Sequence, residues 1–335
     1  MNTFSDHEIR LLNDWQRDFP LVDRPFASIA QSTDSSHDET ITAYTKLAEK
    51  GVISRIGAVV TTGALGASTL AAIAVPEDQL ENIAEKVSTH RGVNHNYERT
   101  HRYNLWFVVT AQDQSELDAV LLNIESQTGL KVLSLPMLES YHIDLGFDLK
   151  GKPESLAPKH GNNPSLTEPV TCPVDRQLLW ALESGLPFTD QPYDAISKTL
   201  NIPVENILTR ITRLLETGAI KRFGVVVRHH ELGYKSNAMV VWNIPDNQIK
   251  DAVSTLTEAQ YVTLCYRRPR LLPEWPYNVF SMIHGQDRDQ VLDQIDSLAR
   301  QKALSNIDHE ILFSTRRFKQ TGARYSPVKD VKEVA

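Results

Sequence analysis

The stretch YERTHRYNLWFVV, residues 97–109, sets Arg99, His101 and Arg102 just ahead of an apolar run. A longer version, YRRPRLLPEWPYNVFSMI, occupies residues 266–283 and carries Arg267, Arg268 and Arg270. Guanidinium forks grip carboxylates or phosphates through paired N–H donors, and imidazoles exchange protons near neutral pH. Alternate residues of a strand share a face, so His95, Tyr97 and Arg99 point one way and Asn94, Asn96 and Glu98 the other. The second stretch answers with Leu264, Tyr266 and Arg268, and the turns add Tyr103–Asn104 and Tyr277. Two later segments, ESYHID and FSTRRFK, set His142 against Arg316, beside Arg317.

Taken singly, each residue has a bland reading. Arg99 or Arg268 alone is an exposed charge or a surface ion pair worth about 0–1 kcal/mol. His95 alone is a hydrogen-bonded structural histidine, and Tyr97 and Tyr266 are cross-strand packing. Convergence argues for more. Arg99, Arg102, His95, His101 and His142 come from neighbouring strands, with Glu98 and Asp144 as the nearby acids. A flat polyanion would satisfy that set, its acids held by arginine and its plane covered by tyrosine.

The elements that must hold these residues are written twice. KLAEKGVISRIGAVV (46–60) is answered by RLLETGAIKRFGVVV (213–227), and the same offset aligns Pro25 with Pro192, Ile29 with Ile196 and Gly66 with Gly233. A fixed internal offset marks a duplicated module. Each copy opens with three short segments of three- and four-residue apolar spacing, with Gly51 or Gly218 where a helix C-cap belongs. A strand follows, then a β-α-β-β-α-β order, the split βαβ or ferredoxin-like arrangement. The expected class is therefore α+β, a tandem duplication of helix-turn-helix plus ferredoxin-like modules. The boundaries are 1–62 and 63–149 in copy one, a Pro-, Gly- and Ser-rich linker at 150–173, and 174–229 and 230–328 in copy two.

Composition narrows the class. The chain has 335 residues, 41% hydrophobic and 23% charged, as in a soluble globular protein of about two or more domains. No apolar run reaches the roughly 20 residues needed to span a bilayer, and MNTFSDHEIR lacks a signal-peptide core. Cys172 and Cys265 cannot by themselves build a disulfide framework or a thiolate metal site. A cytoplasmic protein with no protein-bound metal and no membrane partner is expected. A net charge of -7 weighs against nucleic acid as partner.

A helix-turn-helix joined to a ferredoxin-like sheet resembles the Lrp/AsnC family of dimeric DNA-binding regulators, along nearly all of each copy. A reader helix needs donors for bases and cations for phosphates. The third helix of copy one instead carries Asp34, Asp38 and Glu39 about its start. That of copy two has Arg210 and Arg213 but also Glu205. DNA binding is thus the second reading, with a tetrapyrrole sensor as a third.

The motifs GVNHNYERTHRYNLWFVV, KRFGVVVRHHELGYKSNAMVVWNIPD and YRRPRLLPEWPYNVFSMIHG, spread over both copies, resemble the siroheme decarboxylase family. The resemblance implies removal of CO2 from two acetate side chains of siroheme, giving didecarboxysiroheme for haem d1, with no cofactor beyond the iron tetrapyrrole substrate. It implies His95 and His101 as proton donors with His142 in support. Arg99, Arg102, Arg267, Arg268, Arg270, Arg316 and Arg317 become carboxylate anchors. Tyr97, Tyr103, Tyr266 and Tyr277 flank the macrocycle, with Asn104 in the same turn. A histidine could instead ligate the substrate iron, and the sequence leaves both roles open. The two copies should pair within the chain, with a further homodimer possible, and the histidine-rich copy one should line the working pocket.

Overall fold

The computed structural model describes residues 4–143, 168–228, 236–285 and 287–327. Copy one runs α1 (Asp6–Asn13), α2 (Pro25–Thr33), α3 (His37–Glu49), β1 (Ile53–Val60), β2 (Ala67–Ile73), α4 (Leu80–Thr89), β3 (Val93–Arg99), β4 (Leu105–Ala111), α5 (Gln114–Thr128), β5 (Leu133–Pro136) and β6 (Glu139–Ile143). Copy two runs α6 (Pro173–Ala181), α7 (Asp194–Leu200), α8 (Val204–Glu216), β7 (Ile220–Val227), β8 (Ser236–Trp242), α9 (Ile249–Glu258), β9 (Val262–Arg267), β10 (Val279–Gly285), α10 (Arg288–Ala299) and β11 (His309–Gln320). The expected linker 150–173 lies outside the described residues as far as 167, and Pro173 already belongs to α6. Asp144 and Gly233 also lie outside them. Among the described residues no helix is long and apolar enough to cross a membrane.

Local chemistry accounts for the helix ends. Ser5 with Glu8 and Ser36 with Glu39 form capping boxes at the starts of α1 and α3. Gly51 and Gly218, at φ +73° and +72°, take the left-handed conformation that terminates α3 and α8. The two helix-turn-helix units do not stand apart. β1 pairs antiparallel with β7, Gly57 facing Gly224, and one apolar core joins Leu11, Phe26 and Tyr44 of copy one to Leu178, Ile211 and Phe223 of copy two.

Gly224 allows the chain after α1 to lie directly on β7. A Cβ there would stand 2.4 Å from the Trp15 carbonyl oxygen, a backbone atom that cannot swing away. Gly224→Ala is expected to destabilise the protein by about 1–3 kcal/mol through overpacking, read as a lowered thermal midpoint. An unchanged midpoint would contradict this close approach.

The remaining strands form one sheet in the order β5-β2-β4-β3-β11-β8-β10-β9-β6. Residues 131–144 read as a single strand in sequence, but the structure breaks them in two. β5 stays beside β2, while β6 crosses to pair with β9 of copy two. β11 does the reciprocal: its first half pairs with β8 and its second half with β3 of copy one. Each copy thus completes the other's sheet, giving a pseudo-dimer within one chain. α4 and α5 cover the outer face of copy one, and α9 and α10 that of copy two. The inner faces meet in a shared core of Leu70, Ala72 and Trp106 against Met239, Val241, Tyr266, Trp275, Phe280 and Leu312.

Candidate active site

The two hairpin mouths are held by matching clamps. Asn104 accepts from the Val75 backbone N–H and donates to the Val75 carbonyl, both at 2.9 Å. Asn278 makes the same pair with Ile244 at 2.9 and 3.0 Å. Each end of the Asn104 amide thus makes a backbone hydrogen bond, which gives this expected substrate-binding residue a structural part in the turn.

Alternation along β3 holds as read. Asn96 points outward and donates to the Ala84 carbonyl of α4 at 3.0 Å, whereas Trp106, which faces Tyr97 in register, lies in the inter-sheet core. His95 and Tyr97 stack at 6.2 Å on that inner side, and the Arg99 guanidinium carbon lies 5.9 Å from the Tyr97 ring. Arg99 is 9% exposed and donates from Nη1 to the Leu312 carbonyl at 3.1 Å. Its counterpart Arg268 is 7% exposed and donates to the Leu135 carbonyl. Leu135 and Leu312 hold equivalent places, opposite Leu70 and Met239.

Neither guanidinium forms an ion pair with an acid of the described chain, and neither Nε has a hydrogen-bond partner there. Burial pulls both below the ordinary arginine value, with tyrosines as the groups that oppose it. Tyr266 belongs to both environments. Arg268 lies 4.7 Å over its ring, and Arg99 is close enough to couple to it electrostatically. Two buried cations from two copies thus share one tyrosine and have no acid counter-ion among the described residues. Arg317 stands opposite Tyr97 in register, is exposed, and donates to Gln320 at 3.0 Å. Burial raises the Tyr97 phenol, while Arg99 and Arg317 act to lower it.

At the mouth of the copy-one hairpin lies a pocket of about 250 Å³, lined by His101, Arg102, residues 273–277 and Glu310. His101 accepts the Tyr103 backbone N–H at Nδ1, 2.9 Å, and its Nε2 lies 2.8 Å from Glu310. The resting ring is therefore neutral, with the proton on Nε2. Burial lowers its ordinary value, and the Glu310 charge opposes that. Tyr277 donates to the other oxygen of Glu310 at 2.7 Å. Arg102 lies over the Tyr103 ring at 5.0 Å, and Tyr103 stacks on His101. Trp275 fills the centre, in edge contact with His101, Tyr103 and Trp106 and stacked on Phe280. The centre of the inter-sheet core is thus filled by side chains, and this pocket lies beside it at the mouth.

Three expected anchors and one histidine lie elsewhere. Arg270 donates to Asn243, Asp246 and the carbonyls of Ile244 and Pro276, so it fastens the long turn to the β8–α9 corner. Arg267 lies 3.7 Å from Glu139 and 3.8 Å from Asp246. Arg316 pairs with Glu81 of α4 at 2.6 Å and Glu98 at 3.3 Å, on the helix side of the sheet. His142 is in register with Cys265, whose side chain belongs to the outer core, and not with Tyr266. The sequence reading missed Glu310 and Trp275. The second copy's longer turn was the visible sign of Trp275, and Glu310 had none beyond facing Leu133 in the repeat.

In the helix-turn-helix units, Arg210 and Arg213 of α8 both bind the buried Asp175 of α6, Arg210 at 2.6 Å. His37, first residue of α3, lies 2.8 Å from Asp190 of the other copy, which also holds Arg24 at 2.7 Å. Arg24, His37, Arg210 and Arg213 are thus engaged by acids of this chain.

Doubled helix-turn-helix units and a shared, cation-bearing sheet core define a duplicated AsnC-like protein. The sequence matches the AsnC-like ligand binding domain over residues 64–142 and 231–319, and the siroheme decarboxylase NirDL-like HTH domain over 8–53 and 175–220. It is 39% identical over 326 residues to the siroheme decarboxylase NirDL subunit of Paracoccus denitrificans, covering 97% of this chain and 99% of that one. It is 30% identical over 321 residues to the siroheme decarboxylase of Hydrogenobacter thermophilus, covering 94% of each. A crystal structure of the siroheme decarboxylase NirDL with an iron-uroporphyrin III analogue superposes with a TM-score of 0.68 at 27% identity, covering 96% of this chain and 93% of that one. The chain belongs to the siroheme decarboxylase family and is a carboxy-lyase.

Proposed function

We propose that this enzyme removes CO2 from two acetate side chains of siroheme, giving didecarboxysiroheme for haem d1, with no cofactor beyond its iron tetrapyrrole substrate. The observation that carries this reading is the pair of buried guanidiniums, Arg99 and Arg268, which meet no acid among the described residues. An unpaired buried charge costs several kcal/mol, and a substrate edged with carboxylates supplies the missing partners. Pairing through Nε and a free Nη is the fork geometry arginine offers such groups. A pocket of about 250 Å³ takes one carboxylate-bearing edge of the pigment, since pockets for whole drug-sized ligands run roughly 300–1,000 Å³.

In the reaction the bond between the methylene carbon and CO2 breaks. The electron pair stays on that carbon, dispersed into the macrocycle, until a proton arrives and leaves a methyl group. His101 lines the pocket and His95 lies beside Tyr97 further along β3, two imidazoles for two acetate arms. With both nitrogens of His101 engaged, the resting ring presents no lone pair to iron. Tyr97 and Tyr103 flank the bound plane, and Arg102 and Arg317 meet the outer carboxylates.

Purified protein mixed anaerobically with siroheme should change its Soret band and yield a product lighter by two carboxyl groups. An intact product mass with a Soret change would make the chain a sensor. No Soret change, with a salt-steep shift of a DNA duplex, would make it a regulator.

A further inference from the structure

We propose that Glu310, supplied by copy two, is a positioning residue for the copy-one His101: it orients the ring, favours its protonated form and links it to solvent. This rests on the reading of His101 as a proton donor. The Nε2–Glu310 distance of 2.8 Å and the Tyr103 N–H on Nδ1 fix the ring plane from both ends. Tyr277 holds the carboxylate from its other oxygen, so the acceptor is itself oriented. His101 is 13% exposed and Glu310 44%, which sets the carboxylate between bulk water and the ring.

Charge makes the same point. To act as an acid, His101 must take a second proton, and burial opposes that, as does the adjacent Arg102. Glu310 is the carboxylate in contact with the ring. Glu274 and Tyr277 also line the pocket, Tyr103 stacks on the ring, and Asp308 acts on Tyr277. The cationic ring carries a proton on each nitrogen, so the Tyr103 N–H leaves Nδ1 when it forms. Nε2 then gives its proton to carbon, and the ring, neutral with its proton on Nδ1, takes another at Nε2 from the Glu310 side.

The arrangement occurs once although its scaffold occurs twice. Arg99 and Arg268, Tyr97 and Tyr266, and the clamps Asn104 and Asn278 are shared by both halves. Glu310 stands opposite Val241, and the equivalent place opposite Ala72 is Leu133. His95 likewise faces Leu264 in the repeat. The acid–base groups have been kept on one side only, so the doubled fold holds one chemical site assembled from both copies.

The test is a pH profile of siroheme turnover for Glu310→Gln beside the parent, His101→Ala and Glu310→Asp. Gln keeps one carbonyl acceptor for Nε2–H, turns its NH2 toward Tyr277, whose hydroxyl can rotate to accept, and removes the charge. Its kcat at neutral pH should fall about tenfold with KM unchanged, and the limb descending toward alkaline pH should move down by about one unit. Asp should restore the limb. An unmoved limb in both Gln and Asp variants, with His101→Ala inactive, would overturn the role of Glu310 while sparing that of His101. Full activity of His101→Ala would instead remove the reading beneath it.

Discussion

Arg99→Met weakens siroheme binding by about 30-fold to several thousand-fold, while the unliganded protein keeps or gains thermal stability. The two halves have one cause. Arg99 sits buried beside Tyr97 and Tyr266, with no partner for its Nε and no paired acid among the described residues. Methionine fills a similar volume without a charge to desolvate, and replacing buried ions by apolar residues is often neutral or stabilising. Removing one partner of a buried charge pair in the complex costs about 2–5 kcal/mol, and every 1.4 kcal/mol is tenfold. Soret titration and a thermal melt read the two halves separately. A midpoint that falls sharply while affinity holds would make Arg99 a structural residue. Arg268→Met should behave alike, because its environment repeats that of Arg99.

His101→Ala lowers kcat for loss of the first CO2 by about 10²- to 10⁴-fold, the span of general acid catalysis, with KM little changed. The parent's pH profile follows from the lowered imidazole value. The active form is protonated, so turnover is fullest at acidic pH and falls as pH rises through a midpoint below the ordinary histidine value near 6.5. Single-turnover mass spectrometry checks both points. Undiminished turnover in His101→Ala, or a profile rising toward alkaline pH, would remove the ring from the reaction.

Much of the scaffold was legible because its signals are local. The offset that pairs Gly51 with Gly218 gave the duplication, and both glycines take the left-handed conformation their position called for. Alternation placed His95, Tyr97 and Arg99 on one face, and Asn96 on the helix side agrees. The errors lie where geometry departs from the simple period. β-bulges interrupt the β3–β11 pairing between Ser314 and Arg316 and again between Arg317 and Lys319. Counting by twos through such shifts cannot tell that Arg316 goes to Glu81 while Arg317 stays opposite Tyr97. The crossing of β6 and β11 between copies is a long-range pairing that no local pattern encodes. Asn104 looked like a site residue because it stood in a basic turn, and its amide clamps Val75. Glu310 and Trp275 reach the mouth only after the two copies meet face to face.

The reading depends most on substrate acids completing what Arg99 and Arg268 lack. Solving the structure of the chain with siroheme bound tests that directly. A carboxylate oxygen of the pigment within hydrogen-bond distance of Nε of Arg99, and another at Arg268, is the predicted result. Siroheme seated elsewhere, with both Nε atoms still unbonded, would contradict it.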